Sequence, residues 1–125
     1  MKLFWNNSIA MLYPEAFNRR QDLESLLQAK KIELRIVEEE ALELSLASLA
    51  GYANSPSPSL PFEGELPAES CLVLSGLEEK KRQQILESLK EAGIDIRYKA
   101  VITDENKDWA FGALMREMEK EEKRE

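Results

Sequence analysis

Two short apolar runs are each followed by a segment with helical spacing and then by an alternating segment. The first run, Ile9–Tyr13, contains only apolar and aromatic residues. The apolar positions of residues 15–30 then fall on one helical face, and residues 32–36 alternate between apolar and charged. These patterns predict a strand, a helix and a second strand. A shorter helical pattern follows over residues 42–49, and Gly51 is placed to end it.

The same order of patterns returns in the second half of the chain. Residues 71–74 form the second apolar run and predict a third strand. Ser75 has capping-box spacing to a glutamate, so we expect it to cap a helix that Gly93 ends. Residues 94–102 alternate and predict the longest strand. Apolar side chains on one face of residues 111–118 predict a last helix, followed by a charged tail that we expect to fray.

Local sequence identity accompanies this repetition. Residues 23–26 and 86–89 both read Leu-Glu-Ser-Leu, 63 positions apart. Residues 32–35 read Ile-Glu-Leu-Arg, and 62 positions later the chain reads Ile-Asp-Ile-Arg. A fainter third block pairs residues 44–49 with a segment 65 positions later. Self-similarity at one period predicts two copies of a supersecondary unit.

The repetition divides the chain into three parts. We expect a first β-α-β-α repeat over residues 1–52 and a second over residues 70–125. The Pro/Ser-rich residues 53–69 between them have the composition of a linker without regular structure. The two repeats are expected to pack against each other as one globular domain, which suits a chain of 125 residues.

The difference between wholly apolar and alternating strands predicts where each strand lies in the sheet. Wholly apolar strands are typical of positions covered on both faces, and alternating strands of positions covered on one. This places the first strand of each repeat at the centre, in the order 2-1-3-4. Right-handed crossovers make each strand–helix–strand passage parallel. We therefore predict an α/β fold with a four-stranded, mainly parallel, doubly wound sheet and helices on both faces. The alternative, a twofold axis perpendicular to the sheet, makes strands 1 and 3 antiparallel, and the pattern does not separate the two.

Composition narrows the function classes. The chain carries 17 basic and 24 acidic residues, a net charge of −7, which repels phosphate backbones and anionic lipid. We therefore expect neither nucleic-acid nor membrane binding. There is no histidine, which removes the common triads and the usual zinc ligand sets, and we expect no metal or cofactor. The single cysteine, Cys71, lies in an apolar run and is expected to be a buried hydrophobe. A cytoplasmic location is expected, since no signal peptide or membrane span is evident.

One segment of the second half resembles a known family. Lys99-Ala100-Val101, a hydrophobic residue and Thr103 are followed by Asn106, Trp109 and a Leu-rich helix. This run is similar to the signature of a small bacterial family that carries a C-terminal domain of unknown function. The resemblance covers roughly residues 72–117, and the first half is similar to the segment that precedes this domain. It implies a cytosolic bacterial protein of about this size and no established activity.

The predicted sheet also indicates where a ligand would bind. In doubly wound sheets, ligands lie beyond the carboxyl ends of the strands where the winding reverses. Tyr13-Pro14 and Ser75-Gly76 would line that crevice. Both turns also have a purely structural interpretation as turn and cap. We assign no catalytic residue, because the chain has no histidine, its cysteine is expected to be inert and no nucleotide-binding fingerprint is present. The candidate ligand-binding residues are Tyr13, Ser75, Gly76, Lys99, Thr103, Asn106 and Trp109.

Two functions are consistent with these observations. The leading hypothesis is a non-catalytic binding or protein-interaction module, in which an exposed outer strand edge pairs with a second copy to give a homodimer. The alternative is a small-molecule-sensing domain or small enzyme that uses the crevice and an unknown ligand.

Overall fold

The computed structural model describes residues 8–52 and 57–123. Residues 1–7, residues 53–56 of the predicted linker and residues 124–125 lie outside this range. Each half of the chain runs strand, helix, strand, helix, with a 3₁₀ turn at Glu39–Glu43 in the first half. The strands are β1 (Ile9–Tyr13), β2 (Glu33–Ile36), β3 (Cys71–Ser75) and β4 (Tyr98–Val101), and the helices are α1 (Arg20–Ala29), α2 (Leu46–Leu49), α3 (Glu79–Ala92) and α4 (Phe111–Lys123).

The four strands form one sheet in the order β2-β1-β3-β4, as predicted. The pairs β1–β2 and β3–β4 are parallel, as expected for crossovers through a helix. The central pair β1–β3 is antiparallel, with Met11 opposite Val73. The sheet is therefore mixed, and the prediction of a mainly parallel, doubly wound sheet is wrong. The antiparallel alternative is the observed one.

Helices cover both faces of the sheet, but equivalent helices share a face. Alternate residues of β1 and β3 point to α1 and α3, where Leu12 and Leu72 join Leu23 and Leu89 in a buried cluster. We call this the α1–α3 layer. A twofold axis perpendicular to the sheet places equivalent helices on the same face, whereas an axis along the strands places them on opposite faces. The antiparallel pairing of β1 and β3 therefore accounts for the position of α1 and α3 on the same face of the sheet.

The opposite face forms the α4 layer. Met11 and Val73 of the central strands point to this side, where Phe111 and Met115 of α4 and Leu46 of α2 are buried against them. All five residues of β1 and of β3 are buried. Wholly apolar strands occupy the centre because both of their faces are covered.

The two halves make the same contacts where each helix returns to the sheet. Ile32 donates a backbone hydrogen bond to the Leu27 carbonyl, and Ile94 donates the equivalent bond to Leu89, both at 2.9 Å. The residue before each donor has a left-handed backbone, with φ 62° at Lys31 and φ 70° at Gly93. Both helices therefore end in a Schellman-type turn.

The second strand of each half also enters the sheet in the same way. Glu33 donates to the Ser8 carbonyl and Tyr98 to the Ser70 carbonyl, both at 3.0 Å. Near the last helices, Leu46 donates to the Trp109 carbonyl at 2.9 Å. Phe111 donates to the Leu44 carbonyl at the same distance. These reciprocal bonds flank an antiparallel bridge between Ser45 and Ala110, where the halves meet a second time.

Several element boundaries differ from the predicted ones. β4 is four residues long, because Ile94 and Ile96 are buried in the α1–α3 layer before the strand begins. Ser75 does not cap α3. It is the last residue of β3, and Glu78 stands at the N-cap without a side-chain bond. α4 continues to Lys123, so the described part of the predicted charged tail is helical.

The described part of the linker is packed against α4. Ser59 donates to the Asp108 carbonyl at 2.8 Å, and Ala110 donates to the Leu60 carbonyl at 3.0 Å. Phe62 packs against the α4 layer. Residues 57–69 therefore run along the protein surface as an irregular but bonded segment. Among the described residues, every helix falls short of the length and apolarity that crossing a bilayer requires.

Candidate functional site

The antiparallel pairing of β1 and β3 places the two turns of the predicted ligand crevice at opposite ends of the sheet. Tyr13, at the end of β1, lies opposite Cys71, whereas Ser75, at the end of β3, lies opposite Ile9. Four residues of strand, roughly 13 Å, separate these two positions along the sheet. The prediction that Tyr13-Pro14 and Ser75-Gly76 line one crevice is therefore wrong.

Tyr13 lies at an acidic end of the sheet. Its side chain is buried, and its hydroxyl donates to the Pro67 carbonyl at 3.0 Å. Burial raises the pKa of Tyr13, and the negative charge of Glu39 raises it further. The peptide bond to Pro14 is cis. A surface depression of about 500 Å³ adjoins this corner, and its remaining lining residues are Glu15, Ala16, Glu38, Glu39 and Glu40.

The carboxylates of this depression have no basic side chain among its lining residues, so its field repels anions. Within the described parts of the chain, no three cysteine or carboxylate side chains gather closely enough to hold a metal ion. The tyrosine hydroxyl already donates its proton to a carbonyl, which leaves it only acceptor capacity toward a ligand.

The parallel strands β3 and β4 both end at the opposite end of the sheet. Four candidate residues lie at or just after these strand ends: Ser75, Gly76, Thr103 and Asn106. The Ser75 hydroxyl is buried and has no hydrogen-bond partner among the described residues. Gly76 has a φ of 74°, and its carbonyl accepts a bond from the Ser8 hydroxyl at 3.4 Å.

Thr103 and Asn106 bond each other within one turn. The Thr103 amide donates to Asn106 Oδ1 at 2.8 Å, and the Asn106 amide donates to Thr103 Oγ1 at 3.2 Å. Asn106 Nδ2 donates to the Val101 carbonyl at 3.1 Å, and Asn106 is buried. The polar groups of Asn106 therefore hold the chain between β4 and α4, and Asn106 does not cap α4.

Lys99 and Trp109 lie on different faces of the sheet. The Lys99 ammonium donates to the Ile96 carbonyl at 2.9 Å, and Lys99 lines shallow depressions with Leu86 of α3. Trp109 packs against the α4 layer and forms a bridge with Leu60 of the linker. The seven candidate residues are thus divided among three places: the Tyr13 end, the Ser75–Asn106 end with Trp109 beside it, and the β4 edge that carries Lys99.

Cys71 is fully buried in the α4 layer, as expected for a small hydrophobe. Burial raises the pKa of its thiol to about 12. At neutral pH the thiol is protonated, so it is neither an effective nucleophile nor a ready metal ligand.

The two outer strands offer a different kind of site. Glu33 donates to Ser8 and Val37 donates to Leu12, so alternate residues of β2 face β1. In a parallel ladder the backbone groups of the residues between them, Leu34 and Ile36, then point away from the sheet. β2 has no neighbour on that side in the described sheet. The alternating pattern of the outer strands predicts exposed edges but does not single out Leu34 and Ile36. The visible signal was the charge alternation of residues 32–36.

The fold and these surfaces define an α/β protein with a mixed four-stranded sheet between two helical layers. Residues 70–124, which contain β3, α3, β4 and α4, match the family model DUF3783, a domain of unknown function. The match covers less than half of the chain and includes every candidate residue except Tyr13. No curated protein and no solved structure matches the chain.

Proposed function

We propose that the protein is a non-catalytic interaction module that binds its partner by adding a strand to the β2 edge. The observation that carries the proposal is the exposed row of backbone groups at Leu34 and Ile36, next to half-buried apolar side chains. Leu26 of α1 packs with Leu34 and Ile36 against the α1–α3 layer. An added strand would satisfy the backbone groups and cover the apolar side chains together.

The other edge is less suited to a partner. β4 presents Lys99 and Val101 at the positions equivalent to Leu34 and Ile36, since Tyr98 donates to Ser70 and Ile102 donates to Leu74. A lysine on an edge strand opposes pairing, because its charge would lose water in the new interface. Lys99 is exposed, and no carboxylate bonds its ammonium in the described structure.

Site-specific photo-crosslinking tests the proposal. A benzophenone side chain replaces Glu33 on the β2 edge in one variant and Lys99 on the β4 edge in the other, and both native residues are exposed. Irradiation of cells that express each variant should give an adduct from position 33 and much less from position 99. Absence of an adduct from position 33, with both variants folded by circular dichroism, contradicts the proposal.

The competing proposal is a small-molecule sensor or small enzyme. The depression beside Tyr13 is the observation that favours it, since its volume of about 500 Å³ accommodates a metabolite. A thermal-shift screen decides between the two. A ligand at 100 times its Kd stabilises the folded chain by ~2.7 kcal/mol, which is easily detected. A hit that is lost in a Tyr13→Phe variant would favour the sensor, and silence across cationic and neutral metabolites would favour the interaction module.

We also propose that the two halves of the chain arose by tandem duplication. We further propose that the protein is bacterial and cytoplasmic. The equivalent bonds at Ile32 and Ile94, and the reciprocal bonds around Ser45 and Ala110, support the duplication. A chain that carries residues 70–123 twice, joined by residues 53–69, should then form the same sheet and unfold cooperatively. A chain without cooperative unfolding would count against it.

A further inference from the structure

We propose that the partner at the β2 edge is a second copy of this chain, paired antiparallel about a twofold axis through Leu34. This inference rests on the proposed function and names its partner. The sequence of the edge, Ile32-Glu33-Leu34-Arg35-Ile36, is complementary to itself when it is read in the opposite direction. In the proposed register, Leu34 faces the partner's Leu34, Glu33 faces the partner's Arg35, and Ile36 faces the partner's Ile32.

The backbone supports this register. Antiparallel strands exchange hydrogen bonds only between residues whose N–H and C=O groups both point toward the other strand. Leu34 and Ile36 are the residues of β2 that point outward, so Leu34 can exchange two bonds with the partner's Leu34. The Ile32 amide is already bonded to Leu27, so Ile32 offers the partner only its carbonyl. The amide of Ile36 would donate to that carbonyl.

The side chains separate by face in this register. Residues directly opposite each other in an antiparallel pair point to the same side of the sheet. Leu34 and Ile36 would meet their counterparts on the side of the α1–α3 layer. Glu33 and Arg35 point to the side of the α4 layer, where Arg35 Nε lies 2.8 Å from the Glu33 carboxylate. Across the axis, two such pairs would form a network of four alternating charges.

Charge excludes the neighbouring register. Moving the axis by one residue places Arg35 opposite the partner's Arg35, and like charges directly opposite each other destabilise a strand pair. Arg35 has little freedom to move away, because its Nη1 also donates to the Leu49 carbonyl at 2.8 Å. The observed bonds of Arg35 thus favour the register in which it faces a glutamate.

The helices would reinforce the strand pair. A twofold axis perpendicular to the sheet keeps both α1 helices on one face, and α1 contacts β2 directly. Neighbouring strands are about 4.8 Å apart, so helices that cover two adjacent strand pairs lie roughly 10 Å apart, a normal packing distance. Leu26, half-buried on α1, is the side chain that this approach would cover. The interface remains small, so we expect a dimer that dissociates on dilution.

Sedimentation velocity of the purified chain tests the pairing. A dilution series from about 1 mM to about 1 µM spans the range in which small interfaces dissociate. The wild-type chain should pass from dimer to monomer within it. The Glu33→Arg variant places two arginines opposite each other at both pairs, and the dissociation constant should rise roughly tenfold or more. A wild-type chain that stays monomeric throughout overturns the inference.

Complementary variants test the register. Glu33→Arg carries two positive side chains on the edge and Arg35→Glu carries two negative ones, so each should be monomeric alone and the equimolar mixture should form heterodimers. The double variant Glu33→Arg with Arg35→Glu restores an opposite charge at each facing pair and should dimerise like wild type. It tests the same register if Arg35→Glu alone does not fold. A wild-type dimer that Glu33→Arg leaves unchanged, or a folded mixture that stays monomeric, overturns the proposed register.

The crosslinking experiment separates this inference from the proposed function. An adduct from position 33 with twice the mass of the chain supports self-pairing. An adduct of any other mass keeps strand addition but overturns the second copy as the partner. Absence of an adduct, together with a monomeric wild-type chain, overturns both.

Discussion

Phe62 of the linker packs directly over Gly112 of α4. A Cβ atom built on Gly112 would overlap the Phe62 ring. The Arg116 guanidinium lies 5.5 Å from the centroid of the same ring. The absence of a side chain at residue 112 is therefore what allows the linker to close against the helix.

Gly112→Ala should destabilise the protein by about 2 kcal/mol. Forcing a methyl group into a filled site costs about 1–3 kcal/mol, which outweighs the helix propensity of alanine, worth up to about 1 kcal/mol. The free energy of unfolding in urea measures this. In a Phe62→Ala background the same change should be neutral or stabilising, because the overlapping ring is gone. An equal loss in both backgrounds would show that the ring is not the cause.

Lys31 and Gly93 occupy the same left-handed position after their helices, so they should respond oppositely to substitution. Lys31→Gly should stabilise the protein by up to about 1 kcal/mol, because glycine adopts this backbone without steric cost. Gly93→Ala should destabilise it by about 1 kcal/mol, although a Cβ at Gly93 would meet nothing within 4 Å. Thermal unfolding of both variants checks the pair. Stability changes of the same sign in the two variants would contradict the structural equivalence of Lys31 and Gly93.

The bonds between Thr103 and Asn106 should contribute to stability but not to binding. Asn106→Ala leaves the Val101 carbonyl and the Thr103 amide without their partner and should cost about 2 kcal/mol. Thr103→Ser keeps the hydroxyl acceptor and should cost little, whereas Thr103→Val should cost about 1 kcal/mol. Urea unfolding measures each. If any ligand found by screening were lost in a folded Thr103→Val variant, the turn would be a binding site.

Cys71 should make stability depend on alkaline pH. An unfolded thiol ionises near pH 9, whereas burial raises the pKa of Cys71 to about 12 in the folded chain. Below pH 9 both states are protonated and this group adds no pH dependence. Between these values the unfolded state has lost a proton that the folded state keeps, so stability falls by up to ~1.4 kcal/mol per pH unit.

The control for this prediction is Cys71→Ala, compared with wild type by urea unfolding from pH 8 upward. Tyr13, whose pKa is also raised, remains in both proteins, so its contribution cancels in the difference. The difference in unfolding free energy should shrink as pH rises. A difference that stays constant would mean that the thiol ionises equally in both states.

The hydrophobic pattern by itself determined the elements, their order in the sheet and the buried positions of Cys71 and of the central strands. Those features depend on whether each strand is covered on one face or two, which alternation records directly. It also identified Gly93 as the end of α3, since the left-handed position favours glycine.

Only the tertiary structure decided the direction of β1 against β3. An apolar strand presents the same pattern in either direction, so Ile9–Tyr13 and Cys71–Ser75 contain nothing that distinguishes a parallel from an antiparallel neighbour. That single choice separated Tyr13 from Ser75 and removed the predicted crevice. The tertiary structure also decided the length of β4. Ile94 and Ile96 belong to the alternating pattern, but they are buried in the α1–α3 layer before the pairing of β4 with β3 begins at Tyr98.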